Sequence, residues 1–211
     1  MPRPALFVLF VSLLIAPAAA RALNLDRIAN GEFDDADGSA PWTATTSNSG
    51  AGWAVFDADG CIDSGSMLVW NSTTLGSFTH AVIDGGCFAV TPGEHLQLSA
   101  LVLTHSSSSP GSVRLGLREF PTIDCSGSLH AEGYTNAIDI ATTGWQRATF
   151  ADLVVDASQH SVEIVVEVIK NVSSDPETAA WVDRIFVGNP NLIADDDFEI
   201  GATCRWSSVA P

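Results

Sequence analysis

The chain has 211 residues, with 9 Lys and Arg against 25 Asp and Glu and a formal net charge of −16. That field repels nucleic-acid phosphates and anionic lipid surfaces, so neither partner is expected, while neutral or cationic partners, calcium among them, are favoured. The plainer reading is that the charge only keeps an exported protein soluble.

Residues 1–22, MPRPALFVLFVSLLIAPAAARA, join an early Arg3 to an apolar run from Ala5 to Ile15 and a small-residue A-x-A site. This reads as a secretory signal peptide whose apolar part is too short for a membrane span. The mature chain from residue 23 suits one all-β domain, or one domain with a tail. It is expected to be a monomer that is secreted, periplasmic or on the cell surface. No later run approaches the ~18 apolar residues that cross a bilayer.

The stretch RIANGEFDD, residues 27–35, follows. A plain turn, a metal site and the first turn of a module are all compatible with it. From Met67 onward, short runs rich in Val, Ile, Leu and Thr alternate with clusters of Gly, Pro, Ser and Asp. Strands are predicted over residues 67–71, 78–83, 87–91, 95–104, 112–120, 136–140, 146–155, 161–169 and 180–187. TPGE, SSSSPGS, TTGW and SSDPETA supply the turn chemistry between them. No convincing 3.6-residue period extends over ten residues. The expected fold class is all-β, an antiparallel β-sandwich or jelly roll.

Two strands alternate well enough to assign faces. In SVRLGLREF, Val113, Leu115, Leu117 and Glu119 share one side, and Arg114, Gly116, Arg118 and Phe120 the other. In SVEIVVEVI, Val162, Ile164, Val166 and Val168 turn inward, leaving Glu163, Val165 and Glu167 outward. Placed in one sheet, these strands give an outer surface bearing an Arg pair and a Glu pair. That surface is either a set of solvated cross-strand ion pairs or the polar floor of a groove.

Four cysteines, Cys61, Cys87, Cys125 and Cys204, suit disulfides in an exported protein, and their spacing selects none of the three pairings. The absence of C-x-x-C gives zinc-ribbon or thioredoxin-like chemistry no support. Five histidines stand apart without zinc-ligand spacing, and no G-x-S-x-G elbow occurs. Glu163 and Glu167 are ~13 Å apart along one strand face and do not form an obvious glycosidase pair. An enzyme is not expected. The sequons at Asn71 and Asn171 mark expected exposed turns.

Several phrases, in order, carry a resemblance: NLDRIANGEFDDADGSAPWTA, SGSMLVW, CFAVTPGEHLQLSALV, TTGWQRATFADLVV, SVEIVVEV and AAWVDRIFVGNP. Together they resemble the galactose-binding-like jelly-roll carbohydrate-binding modules of the family 4, 9 and 22 group, over about residues 24–188. The resemblance implies a non-catalytic sandwich that binds a polysaccharide, here a neutral glycan, in a groove on one sheet. It also implies a structural calcium beside the first and last strands, which places Asp34 and Asp183 as metal ligands. An empty Asx-type turn is the alternative, and Arg184 stands where a second Asp is frequent.

Sugar rings stack on flat aromatic side chains, so Trp53 and Trp70 are the ligand candidates, while Trp42 and Trp145 sit where the family has packing anchors. Trp181 is placed to close the sandwich. Gln97, Arg114, Arg118 and Glu163 are the candidate polar partners. The resemblance favours a Cys87–Cys125 bridge, with Cys61 and Cys204 paired together or free.

Beyond the closing strand, residues 189–211 form a tail in which LIADDDFEI, residues 192–200, echoes the opening turn. Ile193, Ala194 and Phe198 match Ile28, Ala29 and Phe33, and Trp206 matches Trp42. It looks like the short tails of some bacterial exported proteins, a sorting or attachment segment. The rival to glycan binding is a structural or adhesive cell-surface module.

Overall fold

The computed structural model describes residues 27–28, 31, 33, 40–58, 64–74, 80–105, 108–140 and 143–189. The signal peptide, Asp34, Cys61, Cys204 and all of the tail except Asn189 therefore lie outside the described residues. Among the described residues every regular element is a strand: β1 (Thr43–Ala44), β2 (Ser49–Ala54), β3 (Ser66–Asn71), β4 (His80–Ala89), β5 (His95–Thr104), β6 (Gly111–Phe120), β7 (Ala131–Tyr134), β8 (Ile138–Asp139), β9 (Gln146–Val154), β10 (Ser161–Lys170) and β11 (Thr178–Gly188). No helix there is long and apolar enough to cross a membrane.

The strands form two antiparallel sheets. Sheet A runs β1-β4-β10-β6-β7, with β8 also on β6, and sheet B runs β2-β3-β11-β5-β9. Period-2 alternation turns Leu115, Leu117, Ile164, Val166 and Ile83 of sheet A toward Met67, Val69, Leu96, Leu98 and Val182 of sheet B. All ten are fully buried.

The expected strands 78–83 and 87–91 are one strand, β4. Its D-G-G sequence makes a bulge instead of a turn: Glu163 pairs with Cys87 but Val165 with Asp84, so the register shifts between them. Gly86 takes φ +103°, and Asp84 Oδ1 accepts its N–H at 2.7 Å. A Cβ on Gly85 would stand 2.3 Å from the Trp42 ring, so glycine is needed there for close packing. Strands β1, β2 and β7 were not expected, and the predicted 136–140 contracts to Ile138–Asp139. SGAGWA and AEGY are poor in β-branched residues, so local propensity does not mark them.

The opening segment is stitched to the end of β11. Arg27 N–H donates to Val187 O at 3.0 Å, and Ile185 N–H to Gly31 O at 2.9 Å. Phe33 is fully buried, with its ring centroid 6.2 Å from that of buried Trp42. Cys87 and Cys125 form a disulfide with Cα atoms 5.8 Å apart, the pairing the resemblance implied. At the opposite end, buried Lys170 donates through Nζ to Thr73 O at 3.0 Å and to Asp175 O. The sequon residue Asn71 is fully buried there, its Nδ2 donating to Val168 O at 3.2 Å, which corrects its expected exposure; Asn171 is exposed.

Candidate functional site

Register gathers the polar side chains on the outer face of sheet A. Glu163 pairs with Arg118, Val165 with Gly116 and Glu167 with Arg114. On the far side of β6, Tyr134 pairs with Gly116 and Glu132 with Arg118. The missing side chain at Gly116 lets Tyr134 lie over the strand: a Cβ there would be 2.6 Å from Tyr134 Cε1 and 3.2 Å from Val165 Cγ2. The ring thereby helps cover Val165, which is fully buried although it points outward.

Around that ring the ions are tightly arranged. Arg114 Nε and Nη2 reach Glu167 Oε2 at 2.8 and 2.7 Å, and the Arg114 guanidinium lies 3.7 Å from the centroid of Tyr134. The Tyr134 hydroxyl donates to Glu132 Oε2 at 2.8 Å and lies 2.9 Å from Glu167 Oε1 as a second acceptor. Arg118 reaches Glu163 at 3.5 Å and Glu167 at 3.7 Å. Its Nε is 3.4 Å from Glu132 Oε2 but is not aligned to donate, leaving a buried N–H without a hydrogen-bond acceptor. His80 Nδ1 stands 3.5 Å from Glu167 Oε2.

These contacts shift protonation. Burial, then the Asp84 charge, raises the Glu163 carboxyl above its ordinary value, with Arg118 opposing. Burial first, then the Glu132 hydrogen bond, raises the Tyr134 hydroxyl. Burial works to lower the Arg118 value, but the Tyr134 hydrogen bond and charge, with Glu163 and Glu132, hold it raised. The face thus presents fixed donors and acceptors suited to the hydroxyls of a polar ligand.

The expected Arg pair and Glu pair therefore share one surface. Glu163 and Glu167 lie closer in effect than their strand spacing suggests, because both side chains lean onto Arg118. The other candidates do not join them. Trp53 pairs with fully buried Met67, so alternation turns it inward, where it packs on the core and donates Nε1 to Phe33 O at 2.9 Å. Trp70 is on the outer face of sheet B, its ring over Gly50 and Gly52. Gln97 pairs with Gly188, remote from Trp70, which pairs with Ala179. One groove cannot hold all six, because Trp70 and Gln97 belong to the other sheet.

Tyr134, Glu132 and Asp84 escaped the sequence reading, and His80 entered it only as one of five isolated histidines. Tyr134 is the chain's single tyrosine, which is the one signal that singles it out. On sheet B, Trp181 is buried between Phe56 and His105, with ring centroids 4.5 and 4.7 Å away.

Asp183 is fully buried where the opening segment meets β11; its Oδ2 accepts from Ala58 N–H at 2.9 Å and its Oδ1 from Arg184 N–H at 2.7 Å. Arg184 takes φ +52° at the β-bulge beside it. Among the described residues no three His, Cys, Asp or Glu side chains gather as a metal cluster.

No protein-family model and no curated protein matches the sequence. Solved structures do. The tandem CBM22-1–CBM22-2 domain of Paenibacillus barcinonensis Xyn10C superposes with TM-score 0.56 at 13% identity, over 82% of this chain and 51% of that one. The C-terminal family 22 carbohydrate-binding module of Clostridium thermocellum Xyn10B gives 0.53 at 14%, over 77% of this chain and 97% of the module. The enzymatically active domain of bacteriophage CBA120 tailspike protein 4 gives 0.55 at 15%, over 78% of this chain but only 21% of that longer one. In fold, the chain is a jelly-roll sandwich of the galactose-binding-like type shared by carbohydrate-binding modules.

Proposed function

We propose that the chain is an exported, non-catalytic module that binds a neutral polysaccharide on the outer face of sheet A. The observation that carries this reading is the convergence of Arg114, Arg118, Glu132, Tyr134, Glu163 and Glu167 on one half-buried surface. Planar guanidinium and carboxylate groups match paired sugar hydroxyls. Structural similarity to carbohydrate-binding modules supports the same class of ligand. The Cys87–Cys125 bridge fits an oxidising compartment and so supports export. Retention of the mature protein on a panel of insoluble polysaccharides tests the reading; no retention on any of them contradicts it.

A structural or adhesive role draws on a different observation. The Tyr134 ring carries the Arg114 guanidinium instead of an open apolar face, so stacking with a sugar there is restricted.

Calcium belongs to the same proposal. The buried Asp183 carboxylate supplies the hard oxygen donor that calcium prefers, and Asp34, with backbone carbonyls of the opening segment, would complete a set. A bound ion would fasten that segment to β11. Thermal melting with and without a chelator measures this: a lower melting temperature under chelator is expected, and an unchanged one contradicts the ion.

A further inference from the structure

The loop that joins β6 to β7, residues 121–130, folds back over one end of the outer face of sheet A. Val162 belongs to the core, so alternation turns Ser161 and Glu163 outward together. Ser161 is nevertheless fully buried, because the loop covers it. Its Oγ donates to Thr122 O at 2.5 Å and accepts from Cys125 N–H at 3.0 Å. Cys125 is bonded to Cys87, which pairs with Glu163 and therefore also points outward. The bridge thus passes over β10 on the outer side, next to the row that holds Glu163 and Arg118.

The loop is also braced from within. The Thr122 hydroxyl donates to Ser126 O, and Asp124 Oδ1 accepts from the Ser126 N–H and hydroxyl at 3.2 and 2.7 Å. Gly127, at φ +100°, makes the turn that follows. A loop ordered in this way loses little freedom when something binds against it. Between the two points tied to Ser161 stands Ile123, 74% exposed, and Leu129 near the start of β7 is 45% exposed. The ionic floor beside them has no such surface to offer: the Tyr134 ring carries the Arg114 guanidinium, and Val165 is buried. A sugar ring presents C–H surface as well as hydroxyls, and a site for it combines apolar contact with a few fixed polar groups.

We infer that the stapled loop is the wall of the glycan site on sheet A, and that Ile123 and Leu129 supply the apolar contact to the sugar that the ionic floor lacks. The inference rests on the sheet A reading and adds to it two contact residues outside the strands. Arg118 and Glu163 fix hydroxyls at the foot of the wall, and Ile123 covers the C–H surface above them.

Affinity electrophoresis of the mature chain through soluble xylan and galactan, beside Ile123→Ser and Arg118→Ala, tests the wall. Ile123→Ser is expected to melt at the parent's temperature and to bind several-fold more weakly. Retardation equal to the parent's in Ile123→Ser, with Arg118→Ala no longer retarded, overturns the wall and leaves the sheet A reading standing. A parent that neither polysaccharide retards removes that reading, and the wall with it. Hydroxyl-radical labelling gives a second readout without substitution. In the polysaccharide that retards the parent, labelling at Ile123 and Leu129 should fall several-fold while the exposed Phe56 and Val172 keep their rates. Unchanged labelling at Ile123 and Leu129 overturns the inference.

Discussion

On both sheets an aromatic ring lies over a strand glycine: Tyr134 over Gly116 on sheet A, and Trp70 over Gly50 on sheet B. A Cβ at Gly116 would meet Tyr134 at 2.6 Å, and one at Gly50 would meet Trp70 at 2.0 Å. The backbone device is the same, and the surroundings make the faces different. The Tyr134 hydroxyl is shared by Glu132 and Glu167, which draw in Arg114 and Arg118, so its neighbourhood becomes a polar lattice. On the other face Trp181 meets Phe56 and His105, and the surface becomes an aromatic step. The Tyr134 hydroxyl organises charge around its ring, whereas Trp181 on sheet B is packed between two other rings.

The largest expected effect breaks the lattice. Glu167→Leu leaves the Arg114 guanidinium without its buried carboxylate partner and should cost about 3–5 kcal/mol, read by urea unfolding. A cost below about 1 kcal/mol would mean that the lattice is only a solvated set of surface pairs. Trp53→Ala comes next, at about 3 kcal/mol, because it removes core packing and the bond to Phe33 O. Polysaccharide retention by the folded fraction should not change.

The glycine pair sharpens the comparison directly. Gly116→Val and Gly50→Val should each cost about 1–3 kcal/mol through overpacking, seen as a lower melting temperature. Only Gly116→Val should also abolish polysaccharide retention, since it lifts Tyr134 from its place; loss in both variants alike would erase the distinction between the faces.

The smallest effect is a pH slope. The folded Glu163 carboxyl titrates above its ordinary value because of burial and Asp84. Between those two values the native state holds more protons than the unfolded state, so stability falls as pH rises through that window. Glu163→Gln should flatten this part of the stability–pH curve. An unchanged slope would contradict the assignment.

How far the sequence could be read follows the same physics. Strands β5, β6, β10 and β11 were legible because β-branched or apolar residues recur in them with few interruptions, and the outer Arg and Glu sets followed from their alternation. The bulge in β4 was not, because D-G-G serves equally for a turn and for a register shift. The resemblance, not the spacing, marked the Cys87–Cys125 pair. Trp53 and Trp70 drew attention as rings near loops, yet which face each occupies depends on pairing with Met67 and Ala179, a long-range fact. Tyr134 was missed for the same reason: AEGY has meaning only beside Gly116.

The tail's echo of the opening turn is also sharpened. Ile28, Phe33 and Trp42, the residues it matches, are core anchors in the opening segment. In that alignment Gly31 corresponds to Asp196, and a Cβ at Gly31 would stand 2.2 Å from Ile185 O.

Affinity electrophoresis of the mature chain through soluble xylan and galactan, beside Arg118→Ala, Tyr134→Ala and Trp70→Ala, tests the central claim most directly. Retardation of the parent and of Trp70→Ala in at least one polysaccharide, lost in both sheet A variants, is the result predicted. Loss in Trp70→Ala with the sheet A variants still retarded would contradict it and move the binding face to sheet B.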